Sequence, residues 1–366
     1  MFAVLCGASL SLAFTLHLHS AEASVLGPQG WKLWLDRTAE WKHDELFLPP
    51  VDLSKVPVHA PTGGWDQLFV RSLPPDQAGK IYADRGLSMD VQVPGTVEEY
   101  FWDAISGKGG GHGTSGNYVG VSWWGRDFTV PVAAKGQRLK LFFSEGIRQR
   151  AEIFVNQKLV GYELVHQTPF EVDITDAVNS SGPNKLAVRI TDPEGNFSWG
   201  DYYFPLSHGF GGILGLVQLK VENATHVSDI FVKNKPTLTD VDVDVEITNE
   251  GGEALGGKLS AEIVEAWQHG APVAKPKVVL QMPAQDFRVD GGKAATVSFP
   301  ASVPEAKLWG IRDGNLYNLV VTLQDAQGKV IDRSVQRFGF RFLSVEGYGT
   351  DPRYYLNGKR QFLLSA

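Results

Sequence analysis

The chain has 366 residues, enough for two or three domains at about 100–200 residues each. It is 43% hydrophobic and 20% charged, so it can bury real cores, and its net charge of −7 disfavours nucleic acid and anionic membranes as partners. The single cysteine, Cys6, excludes an intramolecular disulfide, a thiolate zinc site and CxxC redox chemistry.

Residues Phe2 to Leu18 are apolar or small, broken only by hydroxyl residues and His17, and Ala21-Glu22-Ala23 supplies a small-x-small pattern suited to signal peptidase. The pattern reads as a secretory signal over residues 1–23, cleaved after Ala23 and taking Cys6 with it. No later stretch reaches the ~20 apolar residues that cross a bilayer. The expectation is an exported protein, periplasmic or extracellular, with no membrane contact after cleavage. Trp31 to Leu48 then reads as a helix, because Trp34, Thr38 and Trp41 recur at three- and four-residue spacing and Pro49-Pro50 ends the run. In that reading Trp31, Trp34 and Trp41 form one face that docks on the following domain.

Beyond this point the signal is nearly all β. Leu139–Phe143 and Ala151–Val155 are strand-like, and Asn156-Gln157 sits where a tight turn joins the latter to Leu159–Leu164. Phe170–Ile174, Lys185–Ile190 and Leu216–Val221 keep the same period of two. Trp123 and Trp124 are neighbours on a strand, so one is expected to face in and the other out. A second block starts near Asn223, where Val241 to Ile247 alternates strictly between apolar and acidic residues. Lys277–Gln281, Ala295–Phe299, Leu319–Leu323 and Val330–Phe338 continue it, as an immunoglobulin-like sandwich without its cysteine pair would. The last segment, Tyr354 to Leu364, reads as a hairpin turning at Asn357-Gly358. An isolated hairpin is marginal in water, so it needs something to pack on, expected to lie downstream of Ala366.

Sequence spacing alone names no nucleophile. There is no G-x-S-x-G elbow and no H-E-x-x-H, and the histidines are scattered. Gly107 to Gly113 lacks the pattern of a phosphate cradle and reads as a surface loop. Glu98-Glu99 reads as the start of a short helical turn after Pro94-Gly95.

An ordered series of motifs is more specific. Val93-Pro94-Gly95-Thr96, Trp123 to Pro131, Arg150 to Gly161, Thr168 to Thr175, Asn184 to Arg189 and Gly211-Gly212-Ile213 follow one another as they do in glycoside hydrolase family 2. The chain resembles the N-terminal half of that family of β-galactosidases, β-glucuronidases and β-mannosidases. Leu308-Trp309-Gly310, Asn315-Leu316-Tyr317 and Arg337 to Arg341 resemble the end of its second domain, and the final hairpin resembles the start of its barrel. The sequence departs from the family pattern at Gly125, Gln157, Leu214-Gly215 and Leu364-Ser365.

The resemblance implies an all-β architecture. A jelly-roll (galactose-binding-like) sandwich over 24–222 carries the helical extension 31–48. An immunoglobulin-like β-sandwich over 223–343 follows, and 344–366 is the first hairpin of a (β/α)8 barrel cut short. It implies the accessory region of an exported retaining β-glycosidase acting on a glycoside, oligosaccharide or polysaccharide. The catalytic glutamates of the family lie beyond Ala366, so the 366-residue chain is expected to be inactive. A homo-oligomer, and a monovalent or divalent cation, belong to the full-length enzyme. A non-catalytic carbohydrate-binding or adhesion protein of two sandwiches is the alternative.

The loop from Thr191 to Phe210 corresponds to one that approaches the sugar in the family, and Asp192 is the nearest match to its aspartate beside a monovalent cation. Trp199, Asp201, Tyr202 and His208 crowd the same loop, a composition suited to stacking a pyranose and hydrogen-bonding its hydroxyls. The same residues also suit packing of the loop on its own sandwich, with Asp192 capping a turn before Pro193.

Overall fold

The computed structural model describes residues 22–70, 72–73, 88–100, 118–131, 137–164, 167–193, 198–199, 202–203 and 211–362. The expected signal segment falls mainly on residues 1–21, which lie outside them. The chain separates into two compact units, Ala21–Glu222 and the chain from Asn223 onward. Each is a β-sandwich.

In the first unit a four-stranded antiparallel sheet runs in the order Glu22–Leu26, Val217–Asn223, Gln137–Phe143, Phe170–Asp173. It packs on a seven-stranded sheet ordered Lys158–Glu163, Arg150–Val155, Asn184–Asp192, Gly120–Phe128, Trp31–Asp36, Ser88–Val91, Ser72–Leu73. Alternation places Ala151, Ile153 and Val155, with Leu186, Val188 and Ile190, in the core between the sheets, against Leu139, Leu141 and Val217. Two-residue strands Gly95–Thr96, Gly212–Ile213 and Ile147–Arg148 form a small sheet at one end.

The helix expected over 31–48 is instead a strand followed by turns. Trp31–Asp36 lies between Gly120–Phe128 and Ser88–Val91. Its period is two, with Trp31, Leu33 and Leu35 in the core and Trp34 on the outer face. The three- and four-residue spacing of Trp34, Thr38 and Trp41 arises because Trp41 returns to pack beside Trp34 from the turn region, so Trp31 does not share their face.

Trp123 and Trp124 face opposite sides of their strand as expected, yet both are fully buried. Trp124 fills the inter-sheet core and Trp123 the outer face, but residues 37–70 cover that face. Trp65 meets Trp123 edge-on at 5.5 Å and Phe154 at 5.3 Å, and Leu68 is buried beside them. The Trp123 indole N–H donates to Asp36 Oδ2 at 3.1 Å, and the same oxygen accepts from the Thr62 N–H at 2.9 Å. The covering segment is thereby tied to the sheet. Gly125 is required by this cover: a Cβ there would stand 2.6 Å from Leu68 Cδ2, closer than carbon atoms pack.

Asn156 and Gln157 join their two strands with φ of 50° and 70°, the paired positive angles of a type I′ turn. Gln157 bears the left-handed cost that glycine avoids. Gln157→Gly is expected to stabilise the first unit by about 0.5–1 kcal/mol, read as a higher urea midpoint. A lower midpoint would show that the Gln157 side chain contributes more than its backbone costs.

The second unit packs Thr225–Asn234, Asp240–Asn249 and Lys293–Ser302 against a sheet built on Leu255–Gln268, Leu316–Asp325, Val330–Phe338 and Val278–Val289. Val241, Val243, Val245 and Ile247 are fully buried. Asp242 and Asp244 point the other way, toward Lys235 and Lys233 at 2.6 Å each. The hairpin Arg353–Leu356, Lys359–Gln361 turns at Asn357-Gly358, with φ of 51° and 72°, and gains a third strand, Leu343–Glu346. It does find support within the chain. Asn357 Nδ2 donates to the Trp309 carbonyl at 2.9 Å, and Asn357 exchanges two hydrogen bonds with the Phe342 backbone.

Candidate functional site

Two of the motifs read from sequence meet at one end of the first sandwich, alongside Ile147–Arg148. Gly212 pairs with Thr96 on one side and Arg148 on the other. A Cβ on Gly212 would collide with the Gly95 carbonyl, so only glycine lets these three chains lie so close. The Val97 N–H donates to the Gly211 carbonyl at 2.8 Å. Thr96 N–H donates to Glu99 Oε2 at 3.0 Å, closing one side of a capping box that starts a helical turn at Val97.

That turn directs Glu99 outward and Glu98 inward, where only 8% of Glu98 is exposed. Asp192, the last residue of the Asn184–Asp192 strand, is 2% exposed and pairs with Gly120. Burial raises the Glu98 carboxyl to about 8, and the nearby charge of Asp192 adds to the rise. Glu98 is therefore mostly protonated at neutral pH. Tyr118 completes the group: its hydroxyl donates to the Val121 carbonyl at 2.5 Å, and burial pushes its phenol upward.

Two buried carboxyls thus stand near enough for the charge of one to raise the other, and burial keeps a proton on Glu98. Of the other expected residues, Trp199 and Tyr202 pair across a short hairpin through their backbones. Asp201 and His208 lie outside the described residues. Glu98 was read only as a helix-start acid, and its position next to an ordered V-P-G-T element is the sequence signal that marks it.

A second polar cluster lies on the outer face of the seven-stranded sheet. Alternation that sends Ala151 and Ile153 inward sends Arg150 and Glu152 outward, and likewise Arg189 and Thr191. Arg189 Nη1 donates to Glu152 Oε1 at 2.7 Å and to Asp44 Oδ2 at 3.3 Å, while Nη2 donates to the Glu40 carbonyl at 3.2 Å. Arg150 donates to Asp44 Oδ2 and, at 3.0 Å, to Thr191 Oγ1. His59 Nδ1 lies 2.8 Å from Glu152 Oε2. Donor atoms of Asp44, His59 and Glu152 lie within 4.8 Å of one another. Scattered in sequence, these residues are gathered only by the fold.

Residues 225–341 match the family model described as Glycosyl hydrolases family 2. The chain resembles that family over both sandwiches. A β-galactosidase of Thermoanaerobacter pseudethanolicus is 29% identical over 254 residues, 66% of this chain and 31% of that protein. A β-glucuronidase of Formosa agariphila is 24% identical over 317 residues, covering 81% of this chain and 30% of that protein. Among solved structures, a Bacteroides uniformis β-glucuronidase superposes with a TM-score of 0.60 at 18% identity, over 92% of this chain and 34% of that one, a likeness of fold. The chain thus spans about a third of the length of the curated relatives it matches, and it is a glycoside-hydrolase-related β-sandwich region.

Proposed function

We propose that this chain is the accessory, non-catalytic region of an exported retaining β-glycosidase that cleaves O-glycosidic bonds of carbohydrates. The observation that carries the reading is a similarity spanning both sandwiches, at about a third of the length of β-galactosidase and β-glucuronidase relatives. In such an enzyme one carboxylic acid protonates the glycosidic oxygen and a carboxylate attacks the anomeric carbon, with water completing retention. Neither group is assigned to this chain. Its own contribution is Asp192, which together with Glu98 presents buried carboxyl oxygens at the end of the jelly roll. There they hold a sugar hydroxyl or a cation that fixes the sugar's orientation. The reading extends to Trp199, Asp201, Tyr202 and His208 of the loop that follows, whose composition suits stacking and hydrogen-bonding a pyranose.

The test compares the 366-residue chain with the product of its complete coding sequence on nitrophenyl β-galactoside, β-glucuronide and β-mannoside. Turnover with retained anomeric configuration is expected from the complete product and none from the 366-residue chain. Hydrolysis by this chain alone would overturn the domain assignment. Saccharide binding by the complete product without any turnover would favour the alternative of a carbohydrate-binding or adhesion protein.

A further inference from the structure

The sequence holds a single Asn-Gly pair, Asn357-Gly358. It forms the two-residue turn between Arg353–Leu356 and Lys359–Gln361, with the paired positive φ of type I′. Glycine carries no Cβ, so its backbone nitrogen is the least hindered nucleophile that a following residue can offer to an asparagine carboxamide. In that reaction the Gly358 nitrogen bonds to Asn357 Cγ, the Cγ–Nδ2 bond breaks, and Nδ2 leaves as ammonia with the proton from Gly358. Water then opens the resulting succinimide at either carbonyl, giving aspartate or isoaspartate. Water is the only co-reactant, and nothing is oxidised or reduced.

The fold restrains this reaction at the carboxamide. Asn357 Nδ2 donates to the Trp309 carbonyl at 2.9 Å, and Oδ1 accepts the Phe342 N–H at 2.9 Å. The Asn357 N–H donates to the Phe342 carbonyl at 2.8 Å. Ring closure requires Cγ to swing onto the Gly358 nitrogen, and an amide pinned at both ends cannot make that rotation. Gly358 itself is exposed, with open space where a Cβ would stand. Water therefore reaches the pair, and the clamp on Asn357 is what holds the reaction back.

Release of the clamp needs only local opening. Of the residues in the strands Leu343–Glu346, Arg353–Leu356 and Lys359–Gln361, only Leu356 is buried, so little apolar area holds this small sheet in place. The sandwich that carries Trp309 has instead a continuous core that includes Tyr317, Leu319, Phe338 and Phe340. The small sheet opens at a lower free energy than the sandwich unfolds. Modification then blocks the return. An aspartate at 357 has no N–H to give the Trp309 carbonyl, and isoaspartate adds a backbone carbon that breaks the two-residue turn and the Leu356–Lys359 register.

We propose that Asn357 is a deamidation site gated by its own hairpin: closed while the carboxamide is clamped between Trp309 and Phe342, open when the sheet lifts, and unable to close again once modified. The experiment incubates the intact 366-residue chain at mildly alkaline pH across a urea series. Peptide mapping by mass spectrometry follows aspartate and isoaspartate at 357, and hydrogen exchange of the buried strand Asp240–Asn249 reports unfolding of the sandwich. Conversion without urea is expected to be about ten-fold or more slower than in the unfolded chain, the factor set by an opening cost of about 1.4 kcal/mol. It is expected to accelerate at urea concentrations that leave Asp240–Asn249 protected. Equal rates in the folded and unfolded chain, acceleration only as Asp240–Asn249 loses protection, or no conversion in either state would each overturn the proposal. Asn357→Asp reproduces one product directly. Exchange over 343–346 and 353–361 is expected to quicken about five-fold or more in that variant, as loss of one hydrogen bond requires, while Asp240–Asn249 keeps its protection. Unchanged exchange in the hairpin would overturn the one-way step. None of these outcomes bears on turnover by the complete product, so the two readings fail separately.

Discussion

Replacement of Arg189 by Met is expected to destabilise the first sandwich by about 3–5 kcal/mol, the cost of leaving a buried charge without its partner. Arg189 is 2% exposed and bridges Glu152 and Asp44 while also satisfying the Glu40 carbonyl. Methionine fills much of the same volume, so the loss measures charge more than cavity. Glu152, equally buried, would have to keep its charge with only His59 nearby or take up a proton. The expected readout is a fall in Tm on the order of 10 °C for a unit of this size. The double variant Arg189→Met with Glu152→Leu recovers much of the loss, because it removes the stranded carboxylate as well. A single-variant cost under about 1 kcal/mol would instead mean that the network behaves as a wet surface pair.

Glu98→Gln is expected to act in the opposite direction, and only above acid pH. Burial holds the folded Glu98 carboxyl at about 8, against 4.5 for an unperturbed one. Between these values the folded state binds more protons than the unfolded state. The sign is fixed by that difference: stability is fully present below about pH 4.5 and declines as pH rises through about 8. The decline is on the order of 3–5 kcal/mol. Glutamine keeps the shape and cannot ionise, so the variant matches the parent near pH 4.5 and exceeds it near pH 8. Urea denaturation across that range would show it, and parallel curves for the two proteins would place Glu98 in water.

Much of the architecture was legible because strands announce themselves locally. Val241 to Ile247 states its buried face in its own alternation, and Asn156-Gln157 and Asn357-Gly358 mark their turns. Both features need only neighbouring residues. The helix expected over Trp31–Leu48 gives way where tertiary context takes over: Trp34 lies on the outer face of a strand, Trp41 returns from the turn region to pack beside it, and their spacing then mimics a helix. Trp123 takes the outer face that alternation implies, yet nothing in the strand itself says that Trp65 and Leu68 arrive to cover it.

The sites show the same division. Asp192 stands out in the sequence because it closes a motif-bearing strand, and what the fold adds is its burial. The Asp44–His59–Glu152 cluster does not, because its members come from two loop positions and a strand nearly a hundred residues later, and only strand order brings them together. Glu98 was visible as a residue and not as a buried one. An acid at the start of a helical turn ordinarily faces water, and here the turn is rotated so that Glu99 takes that role.

The cover over the outer face also bears on how the protein is made. Residues 37–70 leave the ribosome well before the strands 120–128, 150–155 and 184–192 that receive them, and domains fold as units during synthesis. Trp65 and Leu68 must therefore wait, exposed, until more than a hundred further residues have been translated. Until those strands are made, this apolar segment lacks most of the surface that covers it in the folded unit. Strand order alone sets the length of that interval.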